Sequence, residues 1–322
     1  MSRIAEETID DREEATIDDF IAFLKATSLK RNPTGTIPRF NQGRASGCVH
    51  ASFVVPEGLA PEQRVGLFAK PATYAAWIRF ANASSDTDRD ADVRGMSIKV
   101  LDVPGRNLTA GATSQDFILN SHPVMVVPNT AEFLDLFRAM DAGGLEEVGY
   151  FLRHPHAAVI GARARQHPRS HLDIPYWSTT PYLLGPGRAV KYIVRPTSAT
   201  KSKRPSRLTD AYLRDALKER LSMAEASFEF CLQFQTDAAK MPIEDASVEW
   251  KEDDSPYVPV ARIVIARQDI NLAETVSRCE AVVFNPWCSL VDHRPLGNMN
   301  RARRRIYQAM AAFRQAHGTP AP

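Results

Sequence analysis

SFEFCLQFQT, residues 227–236, alternates without a break. Successive side chains of an extended chain point to opposite sides. Phe228, Phe230, Leu232 and Phe234 therefore share one face, and Glu229, Cys231, Gln233 and Gln235 the other. A face this rich in aromatic rings belongs to a sheet that lines a core. Working outward, AVKYIVRPT (189–197) and PVARIVIARQ (259–268) carry the same β character, and RLTDAYLRDALKERL (207–221) between them reads as a helix capped by Thr209. In the first half, strands are expected over Cys48–Val55, ATYAAWIRFANA (72–83) and RGMSIKVLDV (94–103), followed by DFILN and PVMVVP around Asn120. Residues 130–167 read as helical, with breaks at 143–144 and 154–156. Helices are also expected at 16–27, with an acidic first turn, and at 298–318, closed by Gly318. Long strands interrupted by helical excursions make an α+β chain built round an antiparallel sheet or barrel.

Composition narrows the classes. The 322 residues are 44% hydrophobic and 24% charged, ordinary for a globular protein with an ample core. A net charge of +2 gives no case for nucleic acid, and no apolar run approaches the ~18 residues of a membrane span. Residues 1–30 form an acidic segment and a helix, and 31–322 a single domain. The start, MSRIAEETIDDREEATIDD, lacks an apolar signal core, so export is not expected. Cys48, Cys231, Cys279 and Cys288 are scattered with no CxxC pair, which argues against a zinc site and against disulfides, and places the chain in a reduced cytoplasm.

Chemistry concentrates in the last helix. Arg303, Tyr307 and Arg314 are separated by 4 and 7 positions and share one stripe. By itself RARRR is a solvated basic face. A tyrosine between guanidinium groups, however, has its anion stabilised, and a phenolate is a ligand for ferric iron.

Several motifs together resemble the haem catalase superfamily, in its small catalase-related branch. WIRFANASSD…ADVRGMSIKV resembles the catalase pair VRFSTV and DPRGFAVKF; DFILNSHPVM resembles the segment ending NNTPVF; RRRIY matches its Arg-x-x-x-Tyr motif. PYLLGPGRAVKYIVRP and FNPW…HRPLGNMNRAR resemble the small branch, and the likeness runs from about residue 39 to 318. It implies a closed eight-stranded antiparallel barrel with flanking helices and haem b as cofactor. Tyr307 would ligate the iron, with Arg303 holding it as phenolate. Arg39, Arg79 and Arg314 would pair with the propionates, Phe133 would stack near the haem, and Asn120 would be the distal asparagine. Full-length catalases carry long oligomer-wrapping arms, whereas this chain is expected to keep only the barrel and its helices; that departure argues against a tetramer formed by arm exchange and leaves another homo-oligomer open.

The distal acid–base residue is the point of departure. Catalases use a histidine there, since imidazole titrates near neutral pH. Arg39 lies three residues before Gln42, Gly47 and Phe53 match the glycine and aromatic that follow, and the 79 − 42 = 37 spacing to Arg79 matches the family. His50, inside VHA, is the alternative, but eight extended residues put it roughly 26 Å from Gln42. Ala81 stands where the motif has a serine. The expectation is a haem-dependent oxidoreductase acting on peroxide or an organic hydroperoxide, with Gln42 as distal residue. Alternatives are a specialised haem enzyme rearranging or oxidising an organic substrate, a non-catalytic haem binder, and a haem-free protein whose basic helix meets acidic partners.

Overall fold

The computed structural model describes residues 3–203 and 205–318. Among these, nine strands form one antiparallel sheet: β1 (Ala45–Val55), β2 (Ala72–Asn82), β3 (Arg94–Val100), β4 (Gln115–Asn120), β5 (Tyr176–Trp177), β6 (Tyr182–Leu183), β7 (Ala189–Pro196), β8 (Ala226–Phe234) and β9 (Val258–Ile265). The order is β5-β4-β3-β2-β1-β9-β8-β7-β6, and a β5–β7 pairing closes eight of them into a barrel, with β6 added beside β7. Eight strands leave an interior that side chains just fill. Phe53, Phe117 and Phe230 meet there, with ring centroids 4.8–6.1 Å apart.

Strand β8 behaves as its alternation requires. Phe228, Phe230 and Leu232 enter the core and Phe234 packs against it. The opposite face is covered by a loop rather than by water: the Gln233 amide donates to the Trp250 and Ser255 carbonyls at 2.7 and 3.0 Å.

Seven helices surround the barrel: α1 (Glu13–Arg31), α2 (Thr130–Ala142), α3 (Gly144–Arg153), α4 (Pro155–Ala164), α5 (Tyr212–Met223), α6 (Ala273–Ala281) and α7 (Asn298–Ala316). The expected helix at 207–221 starts later, at Tyr212, and Thr209 does not cap it. The cap comes from elsewhere in the chain. The buried Asp88 carboxylate accepts from the Leu213 and Arg214 N–H groups at 2.9 and 3.3 Å, satisfying donors that would otherwise be orphaned. The cysteine reading is also corrected. Cys48 of β1 and Cys279 of α6 form a disulfide across 231 residues, with Cα atoms 5.5 Å apart. A pair so distant leaves no spacing signature, and its presence removes the cysteine argument for a reducing compartment. No helix of the described residues is long and apolar enough to cross a membrane.

The N-terminal helix is clamped onto the last one. Phe20 and Leu24 of α1 pack with Met310 of α7. Just before them, Arg301 holds three carboxylates, Glu13 at 2.7 Å, Glu7 at 2.7 Å and Glu244 at 2.9 Å. Burial pushes the Glu7 carboxyl up, but the Gly297 N–H, Arg294 and Arg301 outweigh it, and it lies below its ordinary value. Removing one partner of such a network strands the others. Arg301→Met is expected to lower stability by about 3 kcal/mol in urea unfolding at pH 7, far more than an exposed helix arginine would.

Two fully buried imidazoles make the fold acid-sensitive. His171 lies between Ser46 Oγ at 2.9 Å and the Tyr176 hydroxyl at 3.2 Å. That hydroxyl donates to the His171 carbonyl, so it accepts from Nδ1–H, and Nε2 accepts from Ser46. The ring is thus neutral, and burial, with Arg94 nearby, pushes its pKa down to about 3. His293 accepts the Leu67 N–H at 2.9 Å, and burial pushes it down to about 4. Groups depressed on folding bind more protons when unfolded. Their stabilisation is therefore complete above the free value of 6.5 and is lost as pH falls toward the folded values. Tm is expected to decline from pH 7 to 5, with each imidazole contributing about 1.4 kcal/mol per pH unit. A flat Tm over that range would contradict the assignment.

Candidate functional site

Strands β1 to β4 run side by side, and their outward residues line up in cross-strand rows. Phe80, Met96 and Leu119 point into the core, so Ala81, Gly95 and Asn120 point out. Register puts Ala45 opposite Ala81, Ala81 opposite Gly95, and Gly95 opposite Asn120. The next outward row is Cys48, Arg79, Ser97 and Ile118.

Gln42 is folded onto the first of these rows. It sits in the left-handed region, with φ +53°, in the loop ahead of β1, and its N–H donates to the Ala83 carbonyl at 2.8 Å. A Cβ placed on Gly95 would come 2.5 Å from Gln42 Cδ and 2.8 Å from Oε1. In this position the Gln42 amide fills the space that a Cβ at residue 95 would take. The fold thus gathers Gln42, Ala81, Gly95 and Asn120. A non-glycine residue held at positive φ is costly and is found disproportionately at functional sites.

His50 lies elsewhere. It projects from the same outer side of β1 but in the Trp77 row, packed against that indole at a tilt of 44° with centroids 3.6 Å apart. Trp77 is four residues along β2 from Ala81, about 13 Å away. His50 is exposed; partial burial lowers its pKa, with Glu274 and Arg278 of α6 acting in opposite senses.

Two arginines converge on the loop from Ile37 to Gly43, and a third reaches out from it. Arg39 belongs to it and donates to the Val282 carbonyl at 2.8 Å. Arg79, buried on β2, donates to the Gln42 and Gly43 carbonyls at 2.7 and 3.2 Å. Arg314 of α7 donates to the Ile37 carbonyl at 3.4 Å. The other end of the α7 stripe is fixed too. Arg303 donates to Thr180 Oγ1 at 3.1 Å and Asn300 Oδ1 at 3.2 Å, and lies 3.9 Å from the Met125 sulfur. Met125 follows Asn120 in the chain, and Ile37 precedes Gln42. Helix α7 is therefore anchored at both ends to segments that lead into the Gln42–Asn120 row. Tyr307, half-buried, lies on the same stripe between the anchors. Half-buried Phe40, Phe133, Phe137, Ile306 and Phe313 make this side apolar, with Phe133 and Phe137 rings 4.6 Å apart.

Sequence reasoning missed the partners of Arg303. Asn300, three residues earlier on α7, was visible by helical spacing; Thr180 was not. It also missed residues 282–285. Val282 and Phe284 cover Ile118, and the Asn285 N–H donates to Asp116 at 2.9 Å. Asp116 is wholly buried; burial pushes its carboxyl up while Lys99 at 2.7 Å pulls the other way. Among the described residues no group of three or more His, Cys, Asp or Glu could hold a metal ion. A tyrosine-ligated iron does not require one.

No family model and no curated protein sequence matches the chain. Solved structures do match. A bacterial catalase aligns with TM-score 0.66 at 14% identity, over 98% of this chain and 63% of its own length. A fungal catalase aligns at 0.68 and 14%, over 99% and 66%. Catalase A from Saccharomyces cerevisiae aligns at 0.66 and 17%, over 99% and 69%. The chain spans about two thirds of the length of these catalases. The chain has the catalase fold, its barrel closed by eight antiparallel strands with β6 added at the side.

Proposed function

We propose that the protein is a haem-dependent oxidoreductase of the catalase-related type, acting on peroxides with a glutamine in place of the distal imidazole. One observation carries the reading: Gln42, held at positive φ, packs onto the row that ends at Asn120, while α7 carries Tyr307 between anchors leading to the same row. The residues present fit haem b. Tyr307 supplies a phenolate oxygen for ferric iron, and Arg303 supplies positive charge one turn away. Arg39, Arg79 and Arg314 supply guanidinium groups for two propionates. Phe133 and its neighbours supply an apolar wall. Bound haem would supply the redox chemistry on the peroxide O–O bond.

The protein's own part is then to bind and orient. The Gln42 and Asn120 amides can donate to and accept from a peroxide, which fixes its position. Neither amide takes up a proton near neutral pH, so neither shuttles one between the two peroxide oxygens. Slow hydrogen peroxide dismutation follows, and turnover of an organic hydroperoxide is the activity this reading requires. The same loss favours a second reading, a haem binder without turnover. Reconstitution with haemin should give a Soret band, and cumene hydroperoxide with a reducing dye should then be turned over. Haem loading without turnover selects the binder. No Soret band at all refutes both.

A further inference from the structure

The α3–α4 pair presents an apolar stripe to solvent. Leu145, Val148 and Leu152 are 90%, 56% and 78% exposed. At 100° per residue they lie on one side of α3, opposite Tyr150, which is buried and stacked on His154 at 4.2 Å. Helix α4 buries Ala157, Ile160 and Ala164, and leaves His156, Val159 and Arg163 exposed on another side, with Val159 48% exposed. Leucines this open are unusual for a surface helix that has polar alternatives.

Beyond the first turn of α3 the charge carried by this segment is of one sign. Arg153, Arg163, Arg165 and Arg169 are all exposed, and none forms an ion pair among the described residues. Residues 148–172 contain no Asp or Glu; the nearest acids along the chain are Glu146 and Glu147 in the first turn of α3 and Asp173 beyond Arg169, and Asp92, bridged to Gln166, has its carboxylate taken up by Ser84 and Ser85. An apolar ridge flanked by arginines complements a surface with buried acyl chains and anionic headgroups.

We propose that the α3–α4 face docks the protein peripherally on an anionic lipid bilayer, with Leu145, Val148, Leu152 and Val159 entering the interface and the four arginines meeting the headgroups. This does not depend on the haem reading. The full chain is sedimented with vesicles of phosphatidylcholine alone and of phosphatidylcholine with a quarter phosphatidylglycerol. It is expected to pellet with the anionic vesicles at low salt, to stay in solution with the neutral ones, and to be released by high salt. The double variants Leu145→Asp/Leu152→Asp and Arg163→Glu/Arg165→Glu should each weaken binding by about tenfold or more. Their far-ultraviolet circular dichroism and Tm should match the parent, because the residues are exposed. Failure to pellet with anionic vesicles overturns the proposal. So does binding that both double variants retain. A dimer in sedimentation equilibrium that the leucine variant breaks would also overturn it, assigning the stripe to a second copy.

Discussion

Tyr307→Phe is expected to remove the Soret band from haem-reconstituted protein, or to shift it to that of loosely bound haemin lost on desalting. The substitution deletes one oxygen and keeps the ring, so packing of α7 against α1 and α2 through Phe20, Phe133 and Met310 is left in place. Unfolding in urea should change by less than about 1 kcal/mol, since the hydroxyl of a half-buried tyrosine contributes little to folding. Haem binding, in contrast, is expected to depend on that oxygen. A phenol binds ferric iron as phenolate, and the proposal gives Arg303, one turn earlier on the stripe, the positive charge near the bound oxygen. A loss of at least tenfold in haem retention, with stability unchanged, separates a ligand role from a structural one. Arg303→Leu should weaken retention less and shift the band, because it removes the charge and leaves the oxygen. A Soret band and retention in Tyr307→Phe equal to the parent's would end the proposal that Tyr307 is the ligand.

What the sequence made legible was the part written in local patterns. Strand β8 announced itself by period-2 alternation, and α7 by the spacing of Arg303, Tyr307 and Arg314. The parts it hid are contacts between distant residues. Asp88 caps α5 from 125 residues away, so the helix start could not be placed at Tyr212. Cys48 and Cys279 lie 231 residues apart and only the fold brings them together. RARRR reads as one basic run, yet its arginines part company. Arg301 sits in a cage of carboxylates, Arg303 bonds Thr180 and Asn300, and Arg304 lies over Trp287 at 5.0 Å. In the candidate site, motif spacing put Gln42 and Asn120 in one neighbourhood. It could not show that Gly95 is the floor on which Gln42 rests, because that contact is set by register across β2 and β3.

Gln42→His is expected to raise hydrogen peroxide dismutation by about 10²- to 10⁴-fold, the range contributed by a positioned acid–base group. The position should accept the change. Histidine is among the residues that tolerate positive φ, as the +53° at this site requires. Glycine at 95 leaves the space that the side chain occupies. The gain should appear in the pH profile as well as in the rate. An imidazole must be neutral to take the first proton, so activity should rise with pH through its pKa, while the parent, with an amide there, should show no such step. Ala81 is the next limit, since it lies opposite Gly95 in the same row and has no hydroxyl to hold the ring. Gln42→His/Ala81→Ser should therefore exceed the single variant, while Ala81→Ser alone should do nothing for dismutation. His50→Ala should leave both backgrounds unchanged, because His50 packs against Trp77 about 13 Å along the strand. Rapid dismutation by the parent protein, or its loss in His50→Ala, would transfer the distal role away from Gln42. A Gln42→His variant that loads haem and stays inactive would show that the missing imidazole is not what limits the chemistry.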